Sequence, residues 1–200
     1  WVARVPDYCL EDVSDQALAL LLACVRKVAY KDRRVRAGAW NLTADQPCYR
    51  VAGRTLGLIG YGAIARTLHR KVSGLGLARV LVYDPLLEPV RVRESGATPV
   101  SLEVLLEESD YISVHAPLSD QTRGLIGERE LARMKKGCLL VNTSRGPLVD
   151  ERALAQALAQ GRIAGAGLDV FESEPLPADS PLRKLENVTL SDHAGWYSEE

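Results

Sequence analysis

Residues Thr55-Leu-Gly-Leu-Ile-Gly-Tyr-Gly-Ala-Ile-Ala65 constrain the fold of this chain more tightly than any other stretch. A short run of strand character passes straight into a glycine turn, and a helical pattern follows, with Ile64, Leu68, Val72 and Leu75 on one face. A second apolar run, Arg79-Val-Leu-Val-Tyr83, then ends in Asp84. Strand, G-x-G-x-x-A, helix, strand and acid, in that order, form the fingerprint of a βαβ unit that binds a dinucleotide. Each part has a physical task. Gly60 permits the tight turn, and Gly62 lets a pyrophosphate approach the backbone. Ala65 stands where the pattern usually has a third glycine and is small enough for the helix to pack on the strand. The helix N-terminus offers free N–H groups and partial positive charge to phosphates. Asp84 can accept both hydroxyls of the adenosine ribose. Its carboxylate would repel a 2′-phosphate, and Pro85, Leu86 and Leu87 bring no cation, so NAD is favoured over NADP. The plainer reading is that Asp84 only opens a turn before Pro85.

The rest of the chain fits one α/β unit. Strand-length apolar runs at 79–83, 97–100, 110–114, 138–143, 164–169 and 187–191 alternate with helical patterns at 101–108, 127–135 and 151–160. Ser101 and Asp150 read as N-caps. Such alternation predicts a doubly wound parallel sheet of Rossmann type, with ligands beyond the carboxyl ends of the strands. Ahead of it, residues 11–36 read as one long helix. Its apolar face (Val13, Ala17, Leu20, Leu21, Cys24, Val25 and Val28) is broad enough for two packing partners. Gly38 ends it, and a loop at 39–52 carries Trp40, Pro47 and Tyr49.

Composition excludes some function classes. A formal net charge of −1 gives no strong pull toward nucleic acid or an acidic membrane. The apolar run 17–28 is too short to span a bilayer. Cys9, Cys24, Cys48 and Cys138 lack metal-ligand spacing, so no metal is expected. They read as small buried hydrophobes of a reducing compartment, and the expected location is cytoplasmic. A start at Trp1 and a stop at Ser198-Glu-Glu200 lead us to expect a piece of a longer protein.

Polar clusters follow the later strands: His115-Ala-Pro, Thr143-Ser-Arg145-Gly, Asp169 with Glu172 and Glu174, and Asp192-His193-Ala-Gly195-Trp196. Reduction of a carbonyl by NADH needs a proton donor, for which a histidine near neutral pKa is suited. A carboxylate on its second nitrogen favours the imidazolium, and an arginine can grip a substrate carboxylate with two hydrogen bonds. His193, Glu174 and Arg145 supply those three types. From spacing alone, Arg145 also reads as a turn residue and Glu174 as a surface loop residue. His69 reads as a packed or solvated helix residue, and His115 as structural or on the ribose side.

Longer motifs resemble the cofactor domain of the D-isomer-specific 2-hydroxyacid dehydrogenases almost end to end. They are Val5-Pro-Asp-Tyr-Cys9 with the long helix, Gly57-Leu-Ile-Gly-Tyr-Gly62, Met134-Lys-Lys-Gly137 through Asn142-Thr-Ser-Arg-Gly-Pro-Leu-Val-Asp-Glu151, and Gly165-Ala-Gly-Leu-Asp-Val-Phe-Glu-Ser-Glu-Pro175. His193 stands where that family keeps its catalytic histidine. The resemblance implies an NAD-dependent oxidoreductase interconverting a 2-oxo acid and a D-2-hydroxy acid, with Arg145, Glu174 and His193 catalytic. It implies Ala63 and Ile64 at the pyrophosphate, with Gly60, Gly62 and Asp84 completing the adenosine side. Ala116 and Thr122 would line the cofactor groove. Thr143, Arg145, Asp169 and His193 would surround the nicotinamide half, with Asp169 near the carboxamide. Residues 1–200 then form an NAD-binding domain whose companion substrate domain is largely absent: 1–52 as crossover helix and dimerisation arm, 53–200 as Rossmann core. A homodimer through the arm is implied. The run 172–175 with 193–199 is most similar to the branch containing the C-terminal-binding-protein corepressors and related bacterial reductases, where Trp196 would wall the substrate pocket. The alternative function from that branch is an NAD(H)-sensing corepressor or scaffold. Asp192 replaces the proline usual before the histidine.

Overall fold

The computed structural model describes residues 7–40 and 47–199; Val5 and Pro6 of the first motif, positions 41–46 of the loop, and Glu200 lie outside them. Seven strands, β1 (Thr55–Ile59), β2 (Arg79–Tyr83), β3 (Thr98–Pro99), β4 (Tyr111–Val114), β5 (Leu139–Asn142), β6 (Gly165–Leu168) and β7 (Val188–Leu190), form one sheet. Their order is β3-β2-β1-β4-β5-β6-β7, and every pairing is parallel. The order reverses between β1 and β4, which opens a crevice at their carboxyl ends.

Both faces of the sheet are covered, which is why β1, β4, β5 and β6 are buried at every position rather than alternately. On one face lie α1 (Leu10–Arg26), α3 (Ala63–Val72) and α4 (Pro89–Glu94), packed with Leu56, Leu58, Val80, Val82 and Val141. On the other lie α5 (Leu102–Glu108), α6 (Glu128–Arg133) and α7 (Glu151–Ala159), packed with Ile59, Leu81, Ile112, Val114 and Leu140. The Ser101 hydroxyl accepts from the Val104 N–H, and the Asp150 carboxylate accepts from the Ala153 N–H, so both expected caps start their helices. Helix α4 is absent from the sequence reading. It is six residues long with a single buried side chain, Val92, too short to leave a period.

The expected helix over 11–36 is two helices. Lys27 takes the left-handed conformation (φ 58°), and its N–H closes on the carbonyls of Ala23 and Cys24, ending α1; α2 (Val28–Arg36) starts afresh. The break rotates the buried face. Val28, placed by periodicity on the apolar stripe, is exposed, while Tyr30 is buried. The broad apolar arc of α1 is filled within the chain, by α3 on one side and by β5 and β6 on the other. A Cβ on Gly167 of β6 would meet Leu20 Cβ at 2.9 Å, so glycine there sets how closely α1 crosses the sheet. Among the described residues no helix is long and apolar enough to cross a membrane.

Candidate active site

The register aligns the strand ends. Tyr83, Ile59, Val114, Asn142, Leu168 and Leu190 lie in one row across six strands. The residue following each is therefore presented at one level: Asp84, Gly60, His115, Thr143, Asp169 and Ser191. Main-chain bonds carry the pairing one step past the strands, from Gly60 N–H to Tyr83, from His115 N–H to Ile59, from Asp169 N–H to Asn142 and from Ser191 N–H to Leu168. Parallel pairing thus collects residues far apart in sequence on one edge.

On the β1–β2 side, Gly60 has φ +85°, and a Cβ there would lie 2.7 Å from the Ala116 nitrogen. Only glycine takes that conformation at that approach without strain. A Cβ on Gly62 would meet no protein atom within 4 Å, and Gly62 caps α3 with no side-chain hydrogen bond. The first-turn N–H groups of Ala63 and Ile64 stay open to an anion. The Asp84 carboxylate accepts from the Tyr61 N–H (2.9 Å) and the Leu86 N–H (3.0 Å). It therefore ties the glycine turn to the end of β2 and also opens a turn, and each oxygen keeps a lone pair. The Tyr61 hydroxyl sits between His69 Nδ1 (2.6 Å) and Ser95 Oγ (2.7 Å), fixing the underside of the turn. Arg66 donates from Nε to the Tyr61 carbonyl (3.1 Å) and brings to the turn a cation that the sequence reading had not counted.

On the β4–β7 side a cavity of about 670 Å³ opens at the strand ends. It is lined by Thr143, Arg145, Asp169 and His193, expected around the nicotinamide half, by Ala116, expected in the cofactor groove, and by Ile64, expected at the pyrophosphate, together with His115 and Trp196. Tyr8, Cys9 and Val13 of the α1 segment complete its wall. Thr143 is buried, and its hydroxyl has no hydrogen-bond partner among the described residues. A buried hydroxyl left unpaired costs about 1–3 kcal/mol. Beside this cavity it is suited to the polar edge of a bound group, and with the uncapped α3 and bare Gly62 it makes a cradle that fits a dinucleotide. Thr122 lies off the cavity wall. Its hydroxyl donates to the Pro117 carbonyl (2.6 Å) and accepts from the Ser119 N–H (2.8 Å), closing its own loop.

The reactive trio is brought to one place. His193 Nδ1 and Glu174 Oε2 are 2.7 Å apart, and Glu174 Oε1 accepts from the Phe171 N–H at 2.9 Å. A carboxylate can only accept, so Nδ1 carries the hydrogen, and Nε2 is the nitrogen left for a ligand. Partial burial alone would raise the Glu174 carboxyl, but the bonds from His193 and Phe171 hold it below the usual range. Arg145 leaves the end of β5 on a turn stapled by the buried Asn142. The Asn142 amide nitrogen donates to the Arg145 carbonyl (3.0 Å), and its oxygen accepts from the Ser144 N–H (3.0 Å). The Ser144 hydroxyl donates to the Val114 carbonyl, locking the ends of β4 and β5 together. A Cβ on Gly146 would run into the Phe171 carbonyl, so the arginine turn and the Glu174 loop lie in direct contact.

His193 itself has φ 60°, a conformation unfavourable for a residue with a Cβ. Asp169 stabilises it. That carboxylate, 1% exposed, accepts from Ser191 Oγ (2.6 Å), Gln16 Nε2 (3.2 Å), Ala194 N–H (3.2 Å) and Gly195 N–H (3.0 Å). It lines the cavity, while its oxygens anchor the histidine loop. Asp192 lines a second cavity that also borders His193, with Glu174, Phe171 and Arg183. His115 bonds through Nε2 to Ser113 Oγ (2.8 Å), and burial pushes its imidazole down to about 4. A neutral ring cannot act as an acid near pH 7, so His115 is unsuited to donate a proton. Sequence reasoning missed Gln16 and Asn142. An asparagine ahead of a polar turn is a recognisable signal for Asn142, whereas Gln16 reads only as a polar gap in an apolar face.

The family model described as D-isomer specific 2-hydroxyacid dehydrogenase, NAD binding domain, matches residues 18–195. A glyoxylate reductase of Korarchaeum cryptofilum is 48% identical, covering all of this chain and 61% of that relative. Among solved structures, D-lactate dehydrogenase with NAD+ from Lactobacillus jensenii superposes with a TM-score of 0.88 at 30% identity, covering 97% of this chain and 61% of that one. An acyclic imino acid reductase in complex with NADPH and D-Arg gives a TM-score of 0.88 at 34% identity, covering 98% and 61%. The chain thus spans about three fifths of the length of these relatives.

Proposed function

We propose, for a chain that belongs to the D-isomer specific 2-hydroxyacid dehydrogenase family and is its NAD-binding domain, that it holds the cofactor, the acid and the anchoring cation of an enzyme reducing a 2-oxo acid to a D-2-hydroxy acid. The observation that carries this reading is the His193–Glu174 contact, set on the rim of the cavity that Arg145 also lines. Bound NADH supplies the hydride. Gly60, Gly62, Ala63, Ile64 and Asp84 hold the adenosine and phosphate half, while Ala116, Thr143 and Asp169 border the other half. Thr122 shapes the 117–122 loop beside it. Arg145 offers two parallel donors to the substrate carboxylate and draws negative charge onto the reacting carbonyl. His193 gives the proton on Nε2 to the developing alkoxide. Glu174, accepting from Nδ1, fixes the ring plane and leaves Nε2 to the substrate. In the reverse direction the same nitrogen takes the hydroxyl proton, since one group serves as acid and base in turn.

The substrate class follows from the pair of charges: a small acid whose carboxylate meets Arg145 and whose oxygen meets His193. Trp196, half-exposed on the cavity wall, bounds the space for its side chain. We also propose a cytoplasmic homodimer, in keeping with four free thiols and with exposed Trp40 and Tyr49 beside α2. The test of the activity is steady-state kinetics in the full-length protein with NADH and a panel of 2-oxo acids. His193→Ala is expected to cut kcat by about 10²–10⁴-fold with little change in NADH affinity. Arg145→Ala is expected to raise KM and lower kcat together. Near-normal turnover in His193→Ala would overturn the assignment.

A further inference from the structure

The loop that carries His193 is anchored at both ends to one buried carboxylate, and a third element reaches that anchor from outside the sheet. Gln16, in the second turn of α1, donates from Nε2 to Asp169 Oδ1 (3.2 Å) and to Ser191 Oγ (2.8 Å). The Ser191 hydroxyl passes its own hydrogen to the same Asp169 oxygen (2.6 Å). Beyond His193, the Ala194 and Gly195 N–H groups donate to Asp169 as well. The Gln16 stem also forms part of the floor: a Cβ on Gly195 would meet Gln16 Cγ at 3.2 Å and Asp169 Oδ2 at 2.8 Å. No lysine or arginine pairs with Asp169 among the described residues; its buried carboxylate oxygens are held by hydrogen bonds. Two further features make this arrangement consequential. The left-handed backbone at His193 must be held by its flanks. In addition, the surrounding positions of α1, Val13, Ala17 and Leu20, are buried and apolar, so a glutamine at 16 adds donors where a leucine would only pack.

We propose that Gln16 is a positioning residue. Through Asp169 and Ser191 it holds the 191–195 loop so that His193 Nδ1 stays in hydrogen-bond contact with Glu174. Helix α1 then has two roles at one site, since Tyr8, Cys9 and Val13 near its start wall the cavity and Gln16 fixes the acid. The consequence for catalysis rests on the reading of His193 as proton donor; the geometric consequence does not. Gln16→Met keeps the side-chain length and removes both donated bonds. The loop loosens, and the Nδ1–H tautomer of His193 loses the partner that favours it.

The test is the ¹⁵N spectrum of the imidazole nitrogens at a pH where the rings are neutral, with His69, His115 and His193 assigned by substitution. The ratio of Nδ1–H to Nε2–H tautomers at His193 is expected to fall about fivefold in Gln16→Met, the equilibrium effect of losing one ordinary protein hydrogen bond. Leu20→Val is the comparison, because Leu20 packs against β6 and makes no bond to the loop. It is expected to lower the melting temperature and leave the His193 ratio unchanged. In the full-length enzyme, Gln16→Met should lower kcat by about tenfold with the KM for NADH unchanged, as for loss of an interaction made in the chemical step. An unchanged tautomer ratio in Gln16→Met, or equal shifts in both variants, would overturn the proposal. If Gln16→Met does not fold, Ser191→Ala, which removes the relay hydroxyl, is measured with the same expectation. A tautomer shift in a protein that reduces no 2-oxo acid would sink the assigned activity and leave the positioning role standing.

Discussion

The half-buried imidazole of His115 makes a quantitative prediction about stability in acid. Its folded-state pKa is pushed from 6.5 down to about 4 by burial. Between those values the unfolded chain binds a proton that the folded chain refuses. Stability is therefore complete above about pH 6.5 and falls as pH drops through the window toward 4, with a slope of one proton. The full span of the window corresponds to about 3.4 kcal/mol, and by pH 5 about 2 kcal/mol of it is lost. Glu174, held low by its partners, acts in the same sense further down: its contribution is present above the unfolded value of 4.5 and disappears as pH falls through the lower folded value. The perturbation that isolates the histidine is His115→Asn, which keeps a polar partner for Ser113 and cannot titrate. Urea unfolding at pH 7 and pH 5 is measured for both proteins, and the two losses are subtracted, so groups common to both cancel. The wild-type protein is expected to lose about 2 kcal/mol more than the variant. Equal losses would refute the reasoning, and with it the argument that a neutral His115 cannot be the proton donor.

Asp84→Ala should weaken NADH and narrow its advantage over NADPH, measured by quenching of protein fluorescence; equal dissociation constants for the two cofactors in the unaltered protein would contradict the role given to Asp84. Gly146→Ala should destabilise the protein by about 1–3 kcal/mol, because its methyl group displaces the Phe171 carbonyl, and it should depress turnover by separating Arg145 from Glu174. A normal melt with normal kinetics would show that those two turns are not in contact. Trp40→Ser, at a side chain 89% exposed, should convert the proposed dimer to monomer in light scattering, and a monomeric unaltered protein at high micromolar concentration would remove the dimer altogether.

Much of the fold was legible because its signals are local. The strand candidates match the observed strands to within one residue at each end, since buried parallel strands are continuous apolar runs. The break at Lys27 was illegible: the apolar pattern runs on through Val28, and only packing of Tyr30 reveals that the helix turns. The cofactor turn could be read from glycine spacing and the acid after β2. The trio could be read only as three suitable residue types at strand ends. His193 and Glu174 are nineteen residues apart, and spacing alone left Arg145 open as a turn residue and Glu174 as a surface loop residue until longer motifs connected them to a known family. Gln16 left no trace, because its partners lie 153 and 175 residues away and no periodicity encodes such a pair.

The reversal of strand order between β1 and β4 also partitions the sequence. The residues proposed to hold the adenosine end come from one contiguous stretch, Gly60 to Leu86, tied together by the Asp84 carboxylate. The donors, acceptors and cation proposed to face the substrate come from residues beyond 114 and from the α1 segment. The two sets meet along one seam, where Gly60 abuts the backbone at His115 and Ala116. Mutation can therefore retune which dinucleotide is held without disturbing how the proton moves, and can reshape the reactive end without loosening the dinucleotide. On the proposed reading, cofactor choice and substrate choice are then separable traits, so long as the glycine at the seam is kept.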